Sequence, residues 1–274
     1  MLNLLSLYKS EFGETKKSLG QHFLLNKHIL RLIIQEAEIK EGDNVVEIGP
    51  GCGVLTYELL QTGADVKSIE IDNTLSYFLE KYLHIFENFE ILNKDFLLTT
   101  IKDFSHTQKI KFVGNLPYNI ATRIIEHTID FFDKIDLMLF MVQKEVADRI
   151  ISNPKNKTYS SLSVFMQYFF EIKKIKEIGG KNFWPATKVN STILKFTPKK
   201  RYFEDILDEK DFLTFVKAAF GSKRKTLKNN FRNFNNIEKI IVEFFNTDKV
   251  RAEELSLENL IGFYKYVKDR QIDI

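Results

Sequence analysis

Val45-Val46-Glu47-Ile48-Gly49-Pro50-Gly51-Cys52-Gly53 decides how this chain is read. Its first four residues make a short, mostly β-branched run that glycines bring to a stop, the pattern of a buried strand entering a tight turn. Residues 54–60 then take up helical spacing, as Ile29, Leu32, Ile33 and Ala37 do before the strand. Further along, residues 66–71 read as a strand and 75–83 as a helix. Residues 90–92 form a short strand ending near Asp95, and residues 110–113 another ending at Gly114-Asn115. Residues 120–132 read as a helix and 137–142 as a central strand. Strands alternating with helices predict an α/β fold, a mostly parallel sheet covered on both faces. Residues 172–178 and 192–196 alternate and suit an antiparallel edge.

Pro198-Lys199-Lys200 breaks the alternation. Behind it, residues 212–220, 237–245 and 257–267 read as helices, with no convincing strand. The expected organisation is a domain over 1–200, with an N-terminal arm at 1–27, and a small all-α domain over 201–274.

Composition narrows the classes. The 274 residues are 44% hydrophobic and 28% charged, and 25 Phe with 10 Tyr supply far more apolar surface than a disordered chain carries. A net charge of +3 does not by itself select a nucleic-acid partner, so local clustering must carry that argument. Cys52 is the single cysteine, which excludes an internal disulfide and a multi-cysteine metal site and suits a reducing cytoplasm. The apolar opening, residues 1–7, lacks a basic flank and reads as a packing segment rather than a signal peptide. No run approaches the ~18 apolar residues that span a membrane.

The glycine turn is spaced G-x-G-x-G through Gly49, Gly51 and Gly53, unlike the dinucleotide spacing G-x-G-x-x-G. Alone it is a tight strand-helix turn. Glu70 ends the next strand, where an acid accepts hydrogen bonds from ribose hydroxyls, and Asp95 ends the third, placed to accept from an adenine amine. Glycine, acid and acid at three successive strand ends are jointly more specific than any one of them.

Asn115-Leu116-Pro117-Tyr118 follows the fourth strand. The N6 amine of adenine is a poor nucleophile because its lone pair is delocalised into the ring. Methylating it from a sulfonium donor requires that nitrogen to be pushed toward tetrahedral geometry. The Asn115 side-chain oxygen and the Leu116 carbonyl suit its two hydrogens, Pro117 stiffens the loop, and Tyr118 offers a face to an extruded base. The plain alternative is a Pro-Tyr turn with a packed tyrosine, and the glycine loop and two acids upstream tip the reading to chemistry.

These blocks resemble the bacterial small-subunit (16S) rRNA adenine N6,N6-dimethyltransferases of the KsgA type. The resemblance runs from Lys17-Ser18-Leu19-Gly20-Gln21-His22-Phe23-Leu24 through residues 47–56 and Asn115-Leu116-Pro117-Tyr118-Asn119. It continues in residues 143–149, 183–191 and 219–227, in family order over nearly the whole chain. It implies a Rossmann-like class I methyltransferase using S-adenosylmethionine. The implied substrate is two adjacent adenosines in the 3′-terminal hairpin loop of 16S rRNA, each dimethylated, within the immature small ribosomal subunit. A cytoplasmic monomer without membrane attachment is expected. The resemblance further places His22, Leu24, Gly49, Gly51, Gly53, Glu70, Asp95 and Asn115 at the cofactor, and Phe183 opposite Tyr118 on the target base. His22 stands where many members carry Asn. The remaining histidines have no ligand spacing, so no metal is expected, and Cys52 reads as a small turn residue.

Residues 212–237 contain no acid but carry Lys217, Lys223, Arg224, Lys225, Lys228 and Arg232. Such a run is usually a solvated face. Its freedom from acids and its interleaved Asn and Phe favour phosphate binding by Lys223, Arg224, Lys225 and Lys228, with Lys16 and Lys17 beside the active-site mouth. Two alternatives remain open: a 23S rRNA adenine methyltransferase of the macrolide-resistance (Erm) type, and a non-catalytic ribosome-assembly factor on the same fold.

Overall fold

The computed structural model describes residues 3–13, 21–104, 109–199, 206, 208–223 and 225–270. By its internal contacts the chain divides into two units, Met1–Ala147 with Glu171–Pro198, and Asp148–Phe170 with Lys199–Ile274. Residues 148–170, which the strand-helix alternation assigned to the first domain, therefore cluster with the helical unit. Helical periodicity could not show this. The helix over Ser161–Phe169 is buried on nearly every side and has no polar stripe.

The first unit begins with α1 (Leu4–Phe12), β1 (Phe23–Leu24) and α2 (Lys27–Glu36). The sheet then builds through β2 (Asn44–Ile48), α3 (Val54–Leu60), β3 (Asp65–Glu70), α4 (Asn73–Leu83), β4 (Phe89–Asn93), β5 (Ile110–Asn115), α5 (Ala121–Thr128) and β6 (Ile135–Gln143). After α6 (Lys144–Ile150) and α7 (Ser161–Phe169), the chain returns as β7 (Phe170–Ile178), β8 (Phe183–Trp184) and β9 (Ser191–Pro198). The seven-stranded sheet has the order β4-β3-β2-β5-β6-β9-β7. Its β4-β3-β2-β5-β6 pairs are parallel, and β9 runs antiparallel to β6. A separate antiparallel ribbon sets Phe23 against Trp184 and Leu24 against Phe183.

The helix expected over 120–132 ends at Thr128 and continues as a 3-10 helix over Ile129–Lys134. The Thr128 hydroxyl donates to the Ile125 carbonyl at 2.6 Å, a back-bond that competes with the α-helical ladder. The N-terminal packing segment is a helix: Leu4 and Tyr8 are buried, and the Tyr8 ring meets Phe23 and Phe78 edge-on at 5.3 and 5.7 Å.

The second unit holds the end of α6, α7, α8 (Glu209–Ala219), α9 (Leu227–Asn230), α10 (Ile237–Phe245) and α11 (Leu257–Lys268) around Tyr168, Phe212, Phe215, Phe231 and Phe263. Among the described residues no strand follows Pro198.

Candidate active site

Parallel strands deliver their carboxyl ends to one edge, and ligands of doubly wound sheets sit beyond that edge. Here the ends of β2, β3, β4 and β5 bring Gly49, Glu70, Asp95 and Asn115 to a single cavity of about 320 Å³. His22, Leu24, Gly51, Leu116, Pro117 and Tyr118 line it as well.

Gly51 takes φ +58°, and a Cβ there would lie 2.8 Å from the Phe23 ring, so only glycine lets the loop pass beneath β1. Gly53 differs. Its missing Cβ faces Leu79 and Leu4 in the core, and it is not on the cavity wall.

Glu70 is 7% exposed. Its carboxylate accepts from the Asp72 amide at 2.9 Å and the Gly51 amide at 3.4 Å. Burial nevertheless pushes the group up to about 7. Glu47, which the sequence reading quoted only as part of a strand, also lines the cavity. It is fully buried, accepts from the Thr56 and Ser68 hydroxyls at 2.6 and 3.0 Å, and is likewise pushed by burial to about 7. An acid inside an apolar strand was the signal available for it. One oxygen of Asp95 accepts from the Leu97 amide at 2.9 Å and so caps the next turn.

Asn115 is held in one orientation. Its Nδ2 donates to the His22 backbone carbonyl at 2.9 Å, which leaves Oδ1 buried and without a hydrogen-bond partner among the described residues. An unpartnered buried acceptor costs free energy unless a ligand satisfies it. His22 in turn bonds through Nδ1 to the Pro185 carbonyl at 2.7 Å. A carbonyl only accepts, so Nδ1 is the donor. The His22 ring stacks on Tyr118 with centroids 6.0 Å apart and 24° between planes, and the Tyr118 hydroxyl bonds Ser191 Oγ at 2.8 Å. One face of the tyrosine is backed and its tip is pinned. Sequence reasoning gave no part to Ser191 or to the Pro185 carbonyl, although both lie in a block it had singled out.

Phe183 is not on the cavity wall. It is 2% exposed, opposite Leu24 in the ribbon, and packs into the core. Cys52 is buried and pushed by burial to about 12, which keeps it a thiol. Among the described residues no group of three or more His, Cys, Asp or Glu could hold a metal ion, and no helix is long and apolar enough to cross a membrane.

Of the residues predicted to meet RNA, Lys16, Lys17 and Arg224 lie outside the described residues. Lys225 is exposed, and Lys223 donates to the Lys157 carbonyl. Lys228 is ion-paired with Glu238 at 2.7 Å and Asp248 at 3.1 Å, two acids that lie beyond the acid-free run.

A family model described as ribosomal RNA adenine dimethylase matches residues 13–269. The chain belongs to this family. Among curated relatives, the ribosomal RNA small subunit methyltransferase A of Sulfurihydrogenibium sp. (strain YO3AOP1) is 38% identical over 256 residues, 93% of this chain and 96% of the relative. The protein of the same name from Francisella tularensis subsp. tularensis is 40% identical over 258 residues, 93% of this chain and 98% of the relative. Among solved structures, a dimethyladenosine transferase from Plasmodium falciparum matches with TM-score 0.77 at 26% identity, covering 92% of this chain and 99% of that one. The 23S rRNA methyltransferase ErmE, at 22% identity and TM-score 0.67 over 90% of this chain and 99% of its own, shares the adenine dimethylase fold.

Proposed function

We propose that this member of the adenine dimethylase family transfers methyl groups from S-adenosylmethionine to N6 of two adjacent adenosines in the 3′-terminal hairpin loop of 16S rRNA. The observation that carries this reading is the buried Asn115 Oδ1, unpartnered among the described residues, on the cavity wall it shares with the buried Glu70 carboxylate two strands away. The residues fit the cofactor. Glu70 offers acceptors to ribose hydroxyls, Asp95 a carboxylate to an adenine amine, and Gly49 and Gly51 a backbone that approaches closely, with His22 and Leu24 closing from the N-terminal side. When bound, S-adenosylmethionine supplies an electrophilic methyl group.

The chain's own work is positional. Asn115 Oδ1 and the Leu116 carbonyl accept the two hydrogens of the target amine, which draws its lone pair out of conjugation. The Leu116 amide, bonded to the Met141 carbonyl at 3.0 Å, fixes that turn on β6. Tyr118, backed by His22 and pinned by Ser191, presents its other face to the extruded base without losing rotamer freedom at that moment. Phe183, buried opposite Leu24, anchors β8 so that the Pro185 carbonyl meets His22. Gly53 lets α3 pack on α4. The methylated amine is a strong enough acid to give its proton to water, so no general base is needed. Positioning and electrostatics carry the rate.

In this reading Lys223 and Lys225, with Arg224, Lys16 and Lys17, hold phosphates, while Lys228 is taken up by Glu238 and Asp248, and specificity comes from RNA shape and the ease of extruding a loop adenosine. The enzyme acts as a cytoplasmic monomer on the immature small subunit. The small-subunit names of the two relatives favour 16S over 23S rRNA. Primer extension on both rRNAs after incubation with enzyme and cofactor tests this: stops at two adjacent 16S adenosines are expected, and stops in 23S rRNA alone would overturn the assignment.

A further inference from the structure

We propose that the catalytic unit carries its own grip on the RNA backbone. Lys173, Lys176, Lys181 and Lys188, on β7 and on the segment joining it to β9, form a rim that binds phosphates flanking the extruded adenosine. The inference rests on the rRNA reading above and deepens it.

The charge balance is local. Residues 171–190 hold five lysines and two acids. One acid, Glu177, is already committed: it meets Lys144 at 3.2 Å, Lys174 at 3.5 Å and Asn190 Nδ2 at 2.8 Å. The other, Glu171, lies at the far end of β7. Lys173, Lys176, Lys181 and Lys188 are exposed and make no ion pair among the described residues.

Their place in the fold ties them to the chemistry. Ser191 opens β9 and registers with Gln143 at the end of β6, while Asn115 at the end of β5 registers with Met141 of β6. The 179–190 segment therefore lies along the edge where the parallel strands end. It touches the site through Pro185 to His22, and the next residue along, Ser191 of β9, bonds Tyr118. Lys181 precedes Pro185 by four residues, and Lys188 precedes Ser191 by three. The segment is fastened at both ends: Asn182 accepts from the Leu25 amide at 2.9 Å and from Asn26 Nδ2 at 2.8 Å, and the Asn190 carbonyl accepts from the Lys144 amide at 2.9 Å. Flexible cationic side chains on a fixed backbone suit a polyanion that must be held in register without its bases being read. Lysines also blunt exposed sheet edges against aggregation. That accounts for Lys173 and Lys176 on β7 but not for Lys181 and Lys188, which lie off the strand.

The test is a salt titration of binding to the unmethylated 16S 3′-terminal hairpin RNA, with each lysine changed to Gln singly and together. Each loss should weaken binding about fivefold at 0.1 M salt and reduce the log-log salt slope by about 0.7–0.9, with about 3 expected for the quadruple variant. The double variant K181R/K188R should keep the wild-type slope, and affinity for S-adenosylhomocysteine should stay unchanged throughout. A wild-type slope in the quadruple variant overturns the rim, and increased light scattering alongside it would assign the lysines to edge protection. A wild-type enzyme that leaves small-subunit RNA unmethylated overturns the rRNA reading and the rim with it.

Discussion

At the amino ends of the parallel strands, Lys111 is 10% exposed and donates to Asp43 at 2.8 Å and to the Glu38 carbonyl at 2.6 Å, with Asp136 at 3.8 Å. Lys195 closes on the Glu38 carboxylate at 2.6 Å. At the carboxyl ends the same sheet buries Glu47 and Glu70 with no cation paired to either among the described residues, and leaves Asn115 Oδ1 unpartnered. The amino end pairs its buried lysine, although Asn44 Nδ2 there is buried without a partner among the described residues, whereas the carboxyl end leaves two buried acids without a cation at a cost in stability. Two perturbed buried acids and a buried, unpartnered acceptor lining one cavity are the signature of a site that awaits a ligand.

The sharpest way to break this contrast is Asn115→Ala. Removing the acceptor aimed at the reacting amine should lower kcat about 10²–10³-fold, far more than it changes cofactor Kd, as read by single-turnover methyl transfer beside calorimetry. Next comes Glu70→Gln, which should weaken cofactor binding about 10–100-fold, since hydrogen bonds to a charged acceptor are among the stronger ones.

The same residue has a pH signature. Glu47 and Glu70 sit near 7 in the fold against an ordinary 4.5, so the native state holds these protons more tightly than the unfolded chain does. The stability they contribute is complete below about 4.5 and is lost as pH rises through 7, on the order of 2–3 kcal/mol for each. Thermal melts of the cofactor-free protein from pH 5 to 8 should show that fall, and Glu70→Gln should roughly halve it, leaving the part that Glu47 contributes. A melting temperature that rises across this window contradicts the account. Cofactor affinity should move the other way, strengthening as pH passes 7 and Glu70 ionises.

At the amino end, Lys111→Met should cost about 1–3 kcal/mol of stability, discounted for its half-exposed partners, and leave kcat unchanged below the melting transition. The smallest effect carries the contrast into the helical unit. Lys228 is neutralised by Glu238 and Asp248, so Lys228→Gln should change RNA affinity less than about twofold, whereas Lys225→Gln should cost about fivefold.

What could be read from the chain and what could not follows from the range of the interactions. Each strand announces itself over a few residues, and a doubly wound sheet brings successive strand ends together. Gly49, Glu70, Asp95 and Asn115 are therefore legible as one edge in the sequence itself. The orientation of Asn115 was not legible, because His22, 93 positions away, imposes it. Nor were the pinning of Tyr118 by Ser191 or the acids folded onto Lys228, since each needs pairing across the fold. Gly53 carries the spacing of a site, and Phe183 was placed at one by the family resemblance, but both face the core. The helix over Ser161–Phe169 has no polar stripe to read.

The most direct test gives purified enzyme, labelled S-adenosylmethionine and unmethylated small subunits, then digests the RNA to nucleosides. The account predicts N6,N6-dimethyladenosine as the labelled product with the wild-type chain, formed at an initial rate about 10²–10³-fold above that of Asn115→Ala. Label absent from adenosine, or equal rates from both chains, would contradict it.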